Sequence, residues 1–208
     1  MSMDTKILEV ITELQAIAQT GLTYAKDEFD IERYQRLMAI SAEIASYNSS
    51  KKFEQIMEIF SSDVGYKTPQ VEVRGAVFKD DKILLIREKS DGLWSLPGGW
   101  GDVNFSASEN VVNEIKEESG FICEAEKLIA VYDKRRYVSK PVWPCVYKMF
   151  FLCAIVGGEA VTNGFETTDV GFFEAEDIPP LSEDRVTNWQ IEVCFKHHRS
   201  PALKAEFD

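Results

Sequence analysis

The sequence predicts an α/β/α sandwich preceded by a small helical domain. Three observations carry this reading. Residues 1–62 place apolar side chains at helical spacing throughout. Beyond a polar connector, β-type runs recur between about residues 71 and 174. Two helical stretches are set among those runs, one opening at Ser106 and one after Pro179-Pro180. Strands wrapped between two helices give three layers.

The first helix carries Ile7, Ile11, Leu14, Ala18 and Leu22 on one stripe, with Gly21 expected to loosen its end. A second begins near Asp27–Asp30 and carries Ile31, Tyr34, Leu37, Met38, Ile44 and Tyr47. A third follows Ser49-Ser50, with Phe53, Ile56, Met57 and Phe60 on one side. Three amphipathic helices make a small bundle. They contain no glycine-rich phosphate loop and no metal-ligand spacing, so residues 1–66 read as a packing or dimerisation domain without chemistry of its own. The sharper alternative is that they lend side chains to substrate selection across a dimer interface. Residues 67–208 form the second domain, after the turn-rich connector that ends at Thr68-Pro69.

Val71–Phe78 and Ile83–Glu88 read as strands joined by a hairpin at Asp80-Asp81, and further strands follow at about 123–135, 146–156 and 169–174. The last helix is expected from about Ser182 to about His198. Its acidic start (Glu183, Asp184) and basic end (Lys196, His197, His198, Arg199) suit the helix dipole. That accounts for both histidines structurally, since adjacent helical residues cannot face one site together.

The stretch that carries chemistry is Leu96–Phe121. It opens on Pro97-Gly98-Gly99, backbone able to go where side chains would clash. Ser106 followed by Glu109 is a capping box, and Gly120 is a C-cap. On the helix between them Val111, Val112 and Ile115 make an apolar stripe. Glu114, Glu117 and Glu118 share a neighbouring face. Like charges at i, i+4 cost about 0.2–0.5 kcal/mol, and these sit toward the negative end of the dipole. The plain alternative is a solvated acidic face. The glycine loop before the helix and the glycine after it favour a platform of hard oxygen ligands for a divalent cation, magnesium or manganese.

Gly99-x5-Phe105-x7-Asn113-Glu114-Ile115-x-Glu117-Glu118-x-Gly120-Phe121 resembles the Nudix box, G-x5-E-x7-R-E-U-x-E-E-x-G-U with U bulky and apolar. Every fixed position matches except two: Phe105 stands for Glu and Asn113 for Arg. The lost charges are of opposite sign, so neither replacement orphans the other. The resemblance covers roughly residues 70–182. It implies hydrolysis of a nucleoside diphosphate linked to another moiety, with Glu114, Glu117, Glu118 and the Gly99 carbonyl holding the ions. It further implies a catalytic or ligand role for Glu166, in the loop before the last strand, beside the alternative of an exposed loop carboxylate. Arg74 and Arg87 are expected to reach substrate phosphates, with surface ion pairing an equal alternative for Arg74. Arg185 and the Lys134-Arg135-Arg136 run read as surface charge. Trp94, Trp100, Tyr132, Tyr137 and Trp143 are candidate walls for a base or a quaternary ammonium.

A helical N-terminal segment joined to Trp100-Gly101-Asp102-Val103-Asn104 and Ser108-Glu109-Asn110-Val111-Val112 is similar to the CDP-choline pyrophosphatase group, which implies a homodimer and release of CMP and phosphocholine. ADP-ribose hydrolysis is the nearest rival, with trimming of RNA 3′ ends as a secondary activity of some relatives. From another class, a nucleotide sensor of this fold would bind without cutting. Such proteins lose box carboxylates and add a nucleic-acid-binding module, and neither feature is found in this sequence.

A net charge of −12 argues against a broad electrostatic grip on nucleic acid. The four cysteines lack zinc-type spacing. With no signal-peptide pattern and no apolar run near 18 residues, the sequence predicts a soluble cytoplasmic protein, without a membrane partner, that keeps its thiols reduced.

Overall fold

The computed structural model describes residues 3–49, 51–137, 145–162 and 164–208. The chain divides after Pro69 into two compact units.

The first unit consists of α1 (Met3–Tyr24), α2 (Glu28–Tyr47) and α3 (Phe53–Ser61). Asp27 caps α2, its side chain accepting from the Phe29 and Asp30 N–H groups. A small core of Ile11, Ala18, Met38, Ala42, Ile56 and Phe60 joins the three helices. Gly21 does not loosen the end of α1. It lies inside the helix, and a Cβ there would come within 2.3 Å of the Tyr34 ring, so the glycine is what lets α1 and α2 approach. Buried amides are chained together: Gln15 Nε2 donates to Gln19 Oε1, and Gln19 Nε2 donates to the Gly65 carbonyl.

In the second unit β1 (Gln70–Lys79) turns at Asp80-Asp81 into β2 (Lys82–Glu88). Both turn residues have positive φ, 51° and 58°, the conformation whose twist matches a two-residue hairpin. The remaining elements are β3 (Trp94–Ser95), α4 (Ala107–Ser119), β4 (Phe121–Asp133), β5 (Val146–Gly158), β6 (Thr167–Phe173), α5 (Asn188–Arg199) and β7 (Glu206–Phe207). The sheet order is β3-β2-β1-β5-β4-β7, with β6 paired to β2. β1 runs parallel to β5, and β4 antiparallel to β5. Strand alternation divides the core. Val73, Val77, Leu84, Phe121 and Phe151 pack with Val111 and Ile115 of α4. Ala76, Ile83, Leu85, Ile129 and Phe150 pack with Ile191, Cys194 and Phe195 of α5. This is the expected α/β/α sandwich.

The last helix differs from expectation at its start. α5 begins at Asn188, capped by Thr187 with Gln190 closing a capping box, and no acidic residue lies in its first turn. Residues 180–186 are held elsewhere. The Trp94 N–H donates to the Pro180 carbonyl, and the Ser182 N–H donates to the Trp94 carbonyl. Arg185, read from sequence as surface charge, instead bridges Glu88 (3.0 Å) and Asp91 (3.1 Å). These bonds outweigh the weak helical propensity of the segment. Both histidines are structural: His197 is buried beside Glu206, and His198 stacks on Phe78.

Candidate active site

Strand β1 organises the site. On one edge it pairs with β5, and on the other it receives the glycine loop by three backbone bonds. Gly75 N–H donates to the Pro97 carbonyl (2.8 Å), Val73 N–H to Gly99 (2.8 Å), and Gly101 N–H to Val71 (2.9 Å). The loop lies so close that a Cβ on Gly98, whose φ is 143°, would stand 2.1 Å from the Val73 carbonyl oxygen. Gly75 serves the same purpose on the face toward α4, since a Cβ there would meet Ile115 at 2.5 Å. Helix α4 is thus pressed onto bare backbone, with its carboxylates against the loop.

The ends of α4 form as the sequence indicates. The Glu109 carboxylate accepts from Ser106 N–H at 2.7 Å, and Gly120 takes the left-handed conformation at φ 82°. Asn110, which sequence reasoning passed over, is buried and pins the approach: its Oδ1 accepts from the Asp102 N–H, and its Nδ2 donates back to the Asp102 carbonyl.

Glu118 is 7% exposed and accepts from the Gly98 N–H at 2.7 Å. Glu114 lies against Gly99, where a Cβ would be 2.7 Å from its Oε1. Burial pushes the Glu118 carboxyl up to about 8, with Glu114 and Glu88 adding repulsion against the opposing pull of Arg74 and the Gly98 N–H. Burial likewise raises Glu114 to about 7, with Glu117, Glu166 and Asp102 adding to it and Arg74 opposing. Glu117 and Glu166 are exposed. The Glu166 loop is tied in place: its carbonyl accepts from the Lys89 N–H, and Thr167 Oγ1 donates to the Glu118 carbonyl at 3.0 Å.

Among the described residues no three carboxylate, imidazole or thiolate groups stand ready as a metal cage. The donor chemistry nonetheless fits a hard cation. Two half-to-fully buried carboxylates that repel each other lie against the Gly98-Gly99 turn, and a divalent ion would relieve both the desolvation and the repulsion. The Gly99 carbonyl spends one lone pair on Val73 and has a second.

Arg74 is buried, and it is the cation that opposes the raised pKa of both glutamates. Its Nη2 and Nε lie 2.7 and 2.8 Å from Glu72 Oε1, and its Nη1 donates to the Leu96 carbonyl at 2.9 Å. It therefore sits among protein partners rather than open to solvent. Glu72 in turn lies 3.1 Å from Lys148 Nζ and 3.8 Å from Lys134 Nζ. Burial first, then Arg74 and Lys134, bring Lys148 down to about 7, with Glu72 opposing. Sequence reasoning missed Glu72, Lys148 and the buried Glu88. The signal was available, because Lys148 is a lone charge inside an apolar strand and Glu72 shares a strand face with Arg74.

The other expected substrate residues make contacts of their own. Arg87 is exposed and donates from Nε to the Gly92 carbonyl at 2.8 Å, bracing the 88–93 turn. Trp100 is half-exposed on the glycine loop, its backbone bridged to Glu72. Tyr132 is buried on the α5 side, cross-strand from Lys148, with its ring against Tyr137 and Trp189. Trp94 packs on Phe173, and Trp143 lies outside the described residues. Phe105 and Asn113, where the box pattern has charges, are both exposed, so their replacement leaves no buried charge unmatched.

A glycine turn clamped to a strand, with a carboxylate-bearing helix laid across it, suits a cation-dependent hydrolase of phosphate anhydrides. The particular family follows from comparison. Residues 68–193 match the NUDIX domain, and residues 5–60 match the UDP-X-like N-terminal oligomerisation domain. A Bacillus subtilis (strain 168) protein, named provisionally as an ADP-ribose pyrophosphatase, is 44% identical over the whole of both chains. The crystal structure of a UDP-X diphosphatase is 34% identical and matches 99% of each chain with a TM-score of 0.64. That of an ADP-ribose pyrophosphatase from Streptococcus suis is 44% identical, covering 68% of this chain and all of its own, with a TM-score of 0.62. The chain belongs to the Nudix family and is a pyrophosphohydrolase of nucleoside diphosphate derivatives.

Proposed function

We propose that the protein hydrolyses CDP-choline to CMP and phosphocholine. The observation that carries the chemistry is the convergence of Glu114 and Glu118 on the Gly98-Gly99 turn, with Arg74 behind them. The cytidine and choline part of the reading rests on the likeness of the glycine loop and capping region to that group of enzymes.

Glu114, Glu118 and the Gly99 carbonyl would hold magnesium or manganese, with Glu117 completing the set from the exposed side. Such an ion, when bound, neutralises diphosphate charge and makes a coordinated water more acidic. The chain's own contribution is positional. Arg74 opposes the burial that raises both glutamates and so favours their anionic form once an ion is bound, and the Gly98 N–H fixes one Glu118 oxygen. Glu166 stands across from Glu114 as the candidate acceptor of the water proton. Water oxygen bonds to one phosphorus, the bridging P–O bond breaks, and the other phosphate leaves with the bridging oxygen. Arg87 and Trp100, both exposed, are the candidate contacts for the rest of the substrate, and Tyr132 supports the wall formed by Tyr137 and Trp189. Arg74 reaches the phosphates through the ion-binding carboxylates.

ADP-ribose is the second reading, favoured by the name of the full-length relative at 44% identity. A homodimer built through the helical unit, in the cytoplasm, completes the proposal. Free buried thiols at Cys123, Cys153 and Cys194 suit a reducing compartment. Among the described residues no helix is long and apolar enough to cross a membrane.

The test is direct. The protein is incubated with magnesium and, separately, CDP-choline, ADP-ribose, a UDP-linked sugar and a short RNA, and the released nucleotide is identified. CMP formed at a rate well above the others supports the proposal. AMP or UMP as the dominant product overturns the substrate and leaves the site chemistry in place.

A further inference from the structure

The loop that carries Glu166 is held by its backbone, and one residue does most of the holding. Phe165 is 94% exposed and Glu166 is exposed, so side-chain burial does not fix this segment. Lys89 lies just past the end of β2. Its ammonium donates to the Gly164 and Phe165 carbonyls, the latter at 3.0 Å, and its backbone N–H donates to the Glu166 carbonyl at 2.9 Å. Three successive carbonyls thus meet one lysine, whose ammonium and N–H have donors for all of them. The far end of the segment has its own anchor. Thr167 is fully buried, and its Oγ1 donates to the Glu118 carbonyl in the last turn of α4. The β2–β6 register also shifts between Arg87 and Glu88, setting Thr167 opposite Glu88, and such a bulge re-aims the residues beside it. Glu166 therefore stands between Lys89 and the carboxylate helix, near enough to Glu114 to repel it.

We propose that Lys89 is a positioning residue for Glu166, holding the loop carbonyls so that the Glu166 carboxylate stays aimed at Glu114 and Glu118. The inference rests on the reading of Glu166 as acceptor of the water proton. Two features separate Lys89 from an ordinary surface lysine. Its ammonium reaches carbonyls seventy-five and seventy-six positions away, which costs the rotamer freedom of a long side chain, and every bond it makes there leads to Glu166. The ammonium is also spent on carbonyls rather than on the carboxylate. It orders the loop without the direct ion pair that would make Glu166 a weaker base. A general base must stand within hydrogen-bond reach of the proton it takes, and a displacement of about 1 Å can cost on the order of 100-fold in rate. Opening of such a loop is a local event, so the tether acts on turnover rather than on global stability.

The experiment is a double-mutant cycle on the full-length protein, with magnesium and whichever of CDP-choline, ADP-ribose or a UDP-linked sugar it cleaves fastest. Glu166→Gln should lower kcat by about 100-fold or more. Lys89→Met should lower kcat by about 10-fold, with KM and the metal-free urea midpoint nearly unchanged. The double variant should be no slower than Glu166→Gln alone, since Lys89 acts only through Glu166. Lys89→Arg keeps donors for the carbonyls and should recover most of the rate. Lys89→Gln gives the same cycle should Lys89→Met misfold. In the metal-free protein, amide exchange over residues 164–168 should quicken in Lys89→Met while α4 and β1 stay protected. Unchanged exchange, or a parent rate for Lys89→Met beside an impaired Glu166→Gln, overturns the positioning role alone. Losses that multiply in the double variant also overturn it, because Lys89 would then act independently of Glu166. A parent rate for Glu166→Gln overturns the proton-acceptor reading and this inference with it.

Discussion

At Glu118 the fold sets stability against chemistry. The carboxyl is buried beside Glu114 and Glu88, and its pKa stands near 8 against an ordinary 4.5. In the metal-free protein the native state therefore holds a proton that the unfolded chain has released. That contribution is fully present below about pH 4.5 and is lost as pH rises through about 8. Glu118→Gln keeps an acceptor for the Gly98 N–H and removes the titration. Urea unfolding in EDTA should show this variant more stable than the parent by about 1–3 kcal/mol at pH 8.5, with the difference shrinking toward pH 5. The same variant, and Glu114→Gln, should lower kcat by about 100-fold or more with magnesium present. Near-native turnover in either variant would remove the carboxylates from the mechanism. Glu72 presents the opposite case. It is the carboxylate shared by Arg74, Lys148 and Lys134, so Glu72→Gln strands buried cations and should cost about 3–5 kcal/mol in the same unfolding experiment.

At the scale of elements, what was legible in the sequence had a local cause. Helix α4 could be read to the residue because Ser106, Glu109 and Gly120 are written beside the positions they cap. The hairpin at Asp80-Asp81 was readable for the same reason. The start of α5 was not, because Ser182 and Arg185 are held by Trp94, Asp91 and Glu88, residues about ninety positions away. The site divides likewise. The box carboxylates and the glycine turn stand in one short stretch, whereas the role of Glu72 depends on a parallel register that sets it beside Lys148 of β5. Arg87 illustrates the limit from the other side, since its bond to Gly92 appears only once the turn is folded. The two halves of the α4 region should also respond differently to substitution. Ser106→Ala removes one cap and should cost about 1 kcal/mol while leaving kcat nearly intact. Gly98→Ala must both leave a φ of 143° and displace the Val73 carbonyl. It should cost on the order of 1–3 kcal/mol from conformation alone and remove most activity, because the turn that meets Glu118 moves. Equal losses of kcat in the two variants would mean that the turn is not held by β1.

Over the whole molecule, two units with separate cores imply two separate dependences of stability. Among the described residues the core of the helical unit has six buried apolar side chains, and a core that small is marginal without a partner. On the proposed homodimer its unfolding should depend on protein concentration, because association stabilises the folded form only. The Nudix unit carries the carboxylate site, and its unfolding should depend on magnesium or manganese instead. A cation at 100 times its dissociation constant adds about 2.7 kcal/mol, which for a unit of this size raises the midpoint by roughly 10 °C. Scanning calorimetry should therefore resolve two transitions. Raising the protein concentration should move the first and spare the second, whereas adding the ion should move the second and spare the first. Glu118→Gln should weaken the ion dependence. A single transition that responds to both variables at once would show that the two units unfold as one, and that dimerisation and ion binding stabilise the same cooperative structure.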